Sequence, residues 1–267
     1  MNPAGSIAVV TGASGGIGSS TVRALSEAGA HLVLAALPGE MELLERLASD
    51  AERNGVRALA VPADVTRRDD VDRLVATALD AFGTIDVLAN VAGIGSRPSL
   101  CDQTDEELER VLAVNLLGCA RTMHAVLPIM KARRRGAIVN IGSVAGEAGV
   151  MGIYSASKFG LRGLSDSVRR EVRSYGIGVT LIEPGFVRTQ MNEAMGDGLP
   201  SPDIVARAIV RSVRRPRRRV IVPFAYSIPV FMANAFPGLI DLVFGDARIQ
   251  DRLNRDARAK AAEQTPT

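Results

Sequence analysis

Ser6-Ile-Ala-Val-Val-Thr-Gly-Ala-Ser-Gly-Gly-Ile-Gly18 is the stretch that decides the fold of this 267-residue chain. Its first half is a short β-rich run, its second half holds glycines at positions 12, 16 and 18, and residues 19–29 follow with apolar side chains at helical spacing. Glycines let backbone N–H groups approach a pyrophosphate, and a helix N-terminus carries partial positive charge. The stretch therefore predicts a nucleotide site; the alternative is a tight turn between strand and helix.

The same alternation of strand and helix continues along the chain. Further strands are predicted over residues 31–36, 56–62, 85–90, 137–142, 177–185 and 219–222. Helices are predicted over residues 40–54, 69–82 and 104–130, after Tyr154 and after Ser201, and Thr104 with Glu107 predicts a capping box. Strands that alternate with helices form right-handed crossovers. We therefore expect one α/β domain over residues 1–267, a doubly wound parallel sheet of about seven strands with helices on both faces.

The chemically informative residues follow the carboxyl ends of the predicted strands, where ligands bind in an open parallel sheet. Ser143 follows the fifth strand, and Tyr154 and Lys158 lie four residues apart on the next helix, one turn from each other. A phenol has a pKa of about 10, and a neighbouring ammonium favours the phenolate. The pattern predicts a Tyr154 acid–base group tuned by Lys158; the alternative is an ordinary exposed pair on a helix.

Composition narrows the class of protein. Hydrophobic residues make up 47% and charged residues 23% of the chain, and the net charge of +3 does not favour nucleic-acid binding. Cys101 and Cys119 are too few for a disulfide framework, show no metal-ligand spacing, and are interpreted as packing residues. The first residues do not form a signal peptide, so we expect a cytoplasmic protein. We also expect no bound metal, because the cysteines have no metal-ligand spacing with His31 or His124.

Together these residues resemble the short-chain dehydrogenase/reductase family in its compact single-domain branch, over residues 11–189, and so a Rossmann-type fold is implied. Ser143, Tyr154 and Lys158 match the family's catalytic serine, tyrosine and lysine, and Asn115 lies where the family keeps a catalytic asparagine. The resemblance implies that the cofactor is bound by Gly12, Ser14, Gly16, Ile17, Gly18, Asp64, Val65, Asn90, Ala92, Gly93, Tyr154, Lys158, Pro184, Val187 and Thr189.

The activity that the resemblance implies is hydride transfer between NAD(P)H and a carbonyl carbon, on a small-molecule alcohol or ketone. Ser143 would hold the carbonyl oxygen and Tyr154 would give or take its proton, while Lys158 would also bind the nicotinamide ribose and Asn115 would position a water. Two alternatives stay open. One is an epimerase or dehydratase of the related extended branch, and the other is a catalytically silent NAD(P)-sensing regulator.

Cofactor choice depends on the end of the second strand. An acidic residue there favours NAD, and a nearby arginine favours NADP. Residues 36–38 read Ala-Leu-Pro, so neither signal is present. Because the lack of a carboxylate removes repulsion against a 2′-phosphate, the sequence slightly favours NADP. The resemblance also implies a homodimer or homotetramer, assembled through the helices that contain Asn115 and Tyr154.

Residues 187–245 are predicted to form a substrate lid, at 190–199, and an apolar cap. No charged residue occurs in 220–240, but three prolines argue against one continuous transmembrane helix. The segment could close a pocket for a lipophilic sterol-, retinoid- or fatty-type carbonyl. Alternatively, residues 214–240 could contact a membrane as part of a lipid-modifying reductase, with the arginines at 214, 215, 217, 218 and 219 facing anionic lipid. Residues 247–267 are predicted to form a surface tail.

Overall fold

Seven parallel strands form one sheet in the computed structural model, which describes residues 1–97, 99–189 and 198–245. The strands are β1 (Ile7–Thr11), β2 (His31–Ala36), β3 (Ala58–Pro62), β4 (Val87–Asn90), β5 (Gly136–Ile141), β6 (Ile177–Pro184) and β7 (Arg219–Val222). Their order is β3-β2-β1-β4-β5-β6-β7, so the chain builds outward from β1 in one direction and then from β4 in the other. This order confirms the doubly wound parallel sheet that the sequence predicts.

Helices cover both faces of the sheet. They are α1 (Gly16–Glu27), α2 (Met41–Glu52), α3 (Arg68–Phe82), α4 (Asp105–Leu112), α5 (Cys119–Arg133), α6 (Ala145–Ala148), α7 (Gly152–Val172), α8 (Asp203–Arg214), α9 (Ser227–Ala235) and α10 (Pro237–Phe244). Side chains alternate between the two faces along each strand. Ala8 and Val10 therefore pack with α1, α2 and α8 in one hydrophobic core, while Val9 packs with α3, α5 and α7 in the other.

The predicted helix over residues 104–130 exists, but it is not one regular α-helix. A π-helical turn at Ala113–Gly118 joins α4 to α5. Thr104 caps α4, because its Oγ1 accepts a hydrogen bond from Glu107 N at 3.3 Å. The Glu107 carboxylate does not complete the predicted capping box; it accepts from Arg97 N at 2.7 Å and Arg97 Nε at 2.8 Å. A competing ion pair thus determines where this glutamate points.

Asp105–Arg133 is also long and apolar enough to cross a bilayer, with a hydropathy of 1.3. Length and composition alone are weak evidence for a membrane span, and a core helix passes the same test. Asn115, Met123 and Met130 are buried here against the rest of the domain. This helical segment therefore belongs to the core of the domain.

Cys119 and Cys101 differ in their surroundings. Cys119 is buried in the core, and burial raises the pKa of its thiol to about 11, so the predicted packing role holds for this residue. Cys101 is exposed, and the packing role predicted for it is wrong. Most of the predicted lid, residues 190–197, and the predicted tail at 247–267 lie outside the described residues.

Candidate active site

The glycine loop between β1 and α1 is packed so closely at Gly12 and Gly18 that side chains would not fit there. Gly12 has a φ of +63°, and a Cβ added there would lie 2.6 Å from Ala92 Cα. A Cβ on Gly18 would lie 2.0 Å from the Gly12 carbonyl oxygen, and one on Gly16 would lie 3.3 Å from Thr189 Cγ2. The close approach of backbone atoms at Gly12 and Gly18 fits the predicted pyrophosphate site at the start of α1.

The loop after β4 is held beside the glycine loop by side-chain hydrogen bonds. Thr11 Oγ1 accepts from Val91 N at 3.2 Å and from Ala92 N at 3.3 Å. Asn90 is buried, donates to Asn140 Oδ1 at 2.9 Å, and accepts from Thr122 Oγ1 at 2.7 Å. The Asn90 side chain therefore joins β4 to β5 and α5 and fixes the end of β4, from which residues 91–93 follow.

Ser14 has a partner that sequence reasoning missed. Its hydroxyl donates to Glu40 Oε2 at 2.8 Å, and Glu40 ends the short 3-10 turn Pro38–Glu40 that follows β2. The sequence prediction considered only residues 36–38, where a carboxylate is absent. The structure places a carboxylate next to the glycine loop through a residue four positions beyond the strand.

Asp64 and Val65 lie at the end of β3, as predicted. Asp64 Oδ1 accepts from Thr66 N at 2.8 Å and from Thr66 Oγ1 at 2.7 Å, which shapes the turn into α3. Val65 packs against the π-turn, since a Cβ added to Gly118 would lie 2.7 Å from Val65 Cγ2. These contacts leave the two residues at the edge of the sheet where the resemblance places the adenine.

Lys158 lies at the centre of the residues that the sequence predicts to be catalytic. Its side chain is buried, and its Nζ donates to the Ile141 carbonyl oxygen at 2.9 Å, at the end of β5 and two residues before Ser143. The same Nζ lies 5.7 Å from the centre of the Tyr154 ring. A Cβ added to Gly93 would lie 3.4 Å from Lys158 Nζ and 3.3 Å from Asn115 Oδ1. Lys158, Tyr154 and Asn115 therefore meet at the carboxyl ends of β4 and β5.

Asn115 and Ser143 are each oriented by backbone groups. Asn115, in the π-turn, accepts from Ile94 N at 2.8 Å and donates to Ile94 O at 2.9 Å and to Ser157 Oγ at 3.1 Å. Ser143 Oγ accepts from Ala145 N at 3.1 Å. Because that bond uses the serine oxygen as acceptor, the hydroxyl proton is left to donate to a substrate oxygen.

The segment after β6 completes the site. Val144 N donates to the Pro184 carbonyl at 3.1 Å, which joins this segment to the loop that holds Ser143. Val187 is buried and Thr189 lies against Gly16, as described above. The Tyr226 ring covers Gly185, where an added Cβ would lie 2.5 Å from Tyr226 Cε2. The segment that the resemblance assigns to the nicotinamide is thus fixed on both sides.

This glycine cradle beside a Ser–Tyr–Lys group is the arrangement of an NAD(P)-dependent oxidoreductase. A family profile described as short chain dehydrogenase matches residues 6–199, and the chain belongs to that family.

Known relatives agree with this assignment. A Synechocystis protein named 3-oxoacyl-[acyl-carrier-protein] reductase is 39% identical over 189 residues, which cover 70% of this chain and 76% of the relative. An uncharacterized oxidoreductase of Staphylococcus saprophyticus is 34% identical over 235 residues, covering 82% and 94%. The crystal structure of a short chain dehydrogenase/reductase from Burkholderia phymatum in complex with NAD has a TM-score of 0.83 at 26% identity, covering 90% of this chain and 96% of that one.

Proposed function

We propose that this chain transfers a hydride between a nicotinamide cofactor and the carbonyl carbon of an apolar ketone, or the corresponding alcohol in reverse. The observation that supports this best is the meeting of Lys158, Asn115 and Gly93 beside the glycine cradle. The cofactor supplies the hydride when it is bound. The residues of the chain hold the substrate oxygen and move its proton.

Each catalytic residue has a role that its contacts support. Ser143 donates its free hydroxyl proton to the substrate oxygen, and Tyr154 gives that oxygen a proton or takes one from it. Lys158 uses one of its three N–H groups on the Ile141 carbonyl, which leaves two for the ribose and the phenol oxygen. Asn115 holds the backbone at Ile94, and with it the wall of the site next to Lys158.

We infer a fatty-type carbonyl substrate, in preference to a sterol or a retinoid. Relatives named 3-oxoacyl-[acyl-carrier-protein] reductase support the 3-oxoacyl group, and the exposed apolar residues after β6 and β7 support an acyl chain. The test is turnover of 3-oxoacyl thioesters of increasing chain length beside a steroid ketone and retinal, with NADH and NADPH. Turnover that rises with chain length supports the proposal. Tight cofactor binding without turnover of any compound would favour the silent sensor instead.

We propose NAD as the preferred cofactor, in place of the NADP that the sequence slightly favours. The Glu40 carboxylate, bonded to Ser14, adds negative charge where the second strand meets the glycine loop, and negative charge repels a 2′-phosphate. The NAD complex of the Burkholderia phymatum protein agrees with this choice.

We expect Glu40→Gln to bind NADPH about tenfold more tightly than the unaltered protein, with NADH binding changed by less than about threefold. Quenching or enhancement of cofactor fluorescence measures both affinities. The matched control is Glu42→Gln, which removes an exposed carboxylate that pairs with Arg46 on α2. If the unaltered protein prefers NADPH, or if both variants behave alike, Glu40 does not select the cofactor.

We propose a homodimer or homotetramer that uses the helices containing Asn115 and Tyr154. Leu117 and Phe159 on these helices expose 46% and 42% of their surface, which is a large exposure for apolar side chains at the middle of helices. Light scattering during gel filtration measures the mass in solution. A monomeric mass at all concentrations would rule out this assembly.

We also propose contact between the apolar cap and a lipid bilayer. Five large apolar side chains are exposed there, namely Phe224, Ile228, Phe231, Phe236 and Leu242. Fewer arginines can contact anionic lipid than the sequence predicts. Arg218 pairs with Asp166, and the partly buried Arg219 pairs with Glu147 and Glu183. The remaining three arginines precede β7, whereas the apolar side chains follow it.

We therefore expect the protein to co-sediment with neutral phosphatidylcholine vesicles nearly as well as with anionic ones. Absence of the protein from both vesicle pellets at low salt would rule out the membrane proposal. The cytoplasmic location expected from the sequence does not depend on this result.

A further inference from the structure

A cluster of charged and polar side chains surrounds the buried carboxylates of Glu147 and Glu183, beside the loop that holds Ser143. We call it the ion cluster; its other members are the partly buried Arg162 and Arg219 and the exposed Asn234. Glu147 has no exposed side-chain surface, and both of its oxygens lie 2.7 Å from Arg162 Nη1. Its Oε2 lies 2.8 Å from Arg219 Nη2 and accepts from Asn234 Nδ2 at 3.0 Å. Arg219 also pairs with Glu183. The cluster thus joins α6, α7, β6, β7 and α9.

Stability alone is a poor explanation for this arrangement. Removing charges from water is costly, and apolar residues of similar volume often stabilise a core as well as a buried ion pair does. Buried ionic groups can instead serve to hold the elements around them in one arrangement. The question is therefore what the cluster holds in place.

One thing it holds is the catalytic loop. Glu147 lies in α6, between Ser143 and Tyr154, and the N–H of Ala145 in the same short helix donates to Ser143 Oγ at 3.1 Å. The neighbouring Gly146 lies against α7, since a Cβ there would be 2.8 Å from Lys158 Cβ. Arg162 is on α7, four residues after Lys158 and about one turn from it, so its bonds to Glu147 tie α6 to α7. A displacement of Glu147 would move the Ser143 hydroxyl.

The cluster also holds the apolar cap. Asn234 is on α9, and its Nδ2 bridges the Glu147 carboxylate and the Val230 carbonyl at 3.0 and 2.9 Å. On the same helix, Ile228 and Phe231 expose 69% and 65% of their surface. Within the described part of the chain, Asn234 is the only side chain of α9 that hydrogen-bonds to α6, and its partner there is Glu147.

We propose that Glu147 is a positioning residue, which holds the Ser143 hydroxyl and cap helix α9 in a fixed relation so that the cap places an apolar substrate against the catalytic group. Glu147 touches neither the substrate nor the cofactor in this proposal; it acts through α6 on Ser143 and through Asn234 on α9. The kinetic part of the proposal rests on the proposed oxidoreductase function, and the structural part does not.

Burial and the neighbouring charges have opposite effects on the pKa of Glu183. Burial, the largest cause, and the neighbouring Glu147 raise the pKa of Glu183 to about 8, against the lowering effect of Arg219. Arg219 faces Glu183 directly, and Arg162 faces it across Glu147.

Because the folded pKa of Glu183 lies above the unfolded value, this carboxyl contributes stability below about pH 4.5, and the contribution is lost as the pH rises to about 8. Thermal unfolding should therefore show a Tm that falls more steeply between those pH values in the unaltered protein than in Glu183→Gln.

The test of the proposal compares Glu147→Gln and Asn234→Leu with a matched control, Arg218→Met. Arg218 pairs with Asp166 on α7 at 2.6 Å, so the control breaks an ion pair on the same helix but outside the cluster. Hydrogen exchange followed by mass spectrometry measures the protection of residues 143–149 and of α9. We expect Glu147→Gln to reduce protection in both segments by about tenfold, Asn234→Leu to reduce it mainly in α9, and the control to leave both unchanged.

Kinetics with the best 3-oxoacyl thioester of the panel separate positioning from general destabilisation. We expect Glu147→Gln to lower kcat by about tenfold while NADH affinity stays within about twofold, and Asn234→Leu to raise KM by about fivefold with little change in kcat. Protection that falls equally across β1 to β6, or that does not change in either segment, would overturn the proposal. If no thioester is turned over, the exchange result still decides the role of Glu147, and the proposed function alone fails. If Glu147→Gln does not fold, Asn234→Leu decides.

Discussion

Tyr154→Phe should leave cofactor binding nearly intact and lower kcat by about a thousandfold. The substitution removes only the phenol oxygen, and Tyr154 is 9% exposed, so the ring keeps its packing on α7 next to Lys158. A loss of this size corresponds to about 4 kcal/mol of transition-state stabilisation, which is the range of a positioned proton donor. Turnover of the best substrate of the panel, together with NADH titration, provides the measurement.

Tyr175→Phe is the matched control for this variant. Tyr175 lies in the turn after α7, where Lys131 Nζ is 5.3 Å from its ring centre, far along the chain from the cofactor loop. Loss of its hydroxyl should not alter kcat. Near-normal turnover in Tyr154→Phe would remove Tyr154 from the mechanism and would contradict its proposed acid–base role.

The second large effect is expected at the glycine loop. Gly18→Ala should weaken NADH binding by at least about a hundredfold, because the new methyl group would lie 2.0 Å from the Gly12 carbonyl oxygen and must push the loop away from the start of α1. The same displacement should lower the Tm by several degrees, since moving these backbone atoms costs free energy of folding. Fluorescence titration and thermal unfolding measure the two effects.

Gly39→Ala serves as its control. Gly39 lies in the turn next to Glu40, has nothing within 4 Å of the position of a Cβ, and does not adopt a positive φ. The control should bind NADH normally. Equal affinities in Gly18→Ala and in the control would show that the loop tolerates a side chain and would contradict the proposed pyrophosphate site.

The order of strands and helices could be predicted from sequence because each βαβ unit is a local pattern. Strand β1 and the glycines at 12, 16 and 18 are adjacent in the chain, and Tyr154 and Lys158 lie one helical turn apart. For the same reason the residues that follow the strands could be assigned to one edge of the sheet before their contacts were known. The π-turn at Ala113–Gly118 was missed, since no residue type marks the insertion of an i→i+5 bond.

Contacts between distant parts of the chain could not be predicted in this way. Glu40 reaches Ser14 across 26 residues, and its position in a turn beyond β2 is set by how Pro38 starts that turn. Glu147 meets Asn234 across 87 residues. The five arginines at 214–219 read as one basic patch in sequence, but Arg219 turns into the protein because two carboxylates are buried beside it.

The π-turn constrains the number of residues in the continuous helical segment Asp105–Arg133. This constraint is separate from any constraint on which residues they are. A π-turn holds one residue more than an α-helical turn does, and each residue of an α-helix rotates the chain by about 100°. A single-residue deletion within 113–118 that restored regular α-helix would turn Asn115 away from Ile94 relative to Thr122, although every side chain of the site would still be encoded. Insertions and deletions in this segment should therefore impair the enzyme far more than a substitution that keeps an apolar side chain at its exposed position, such as Leu117→Met.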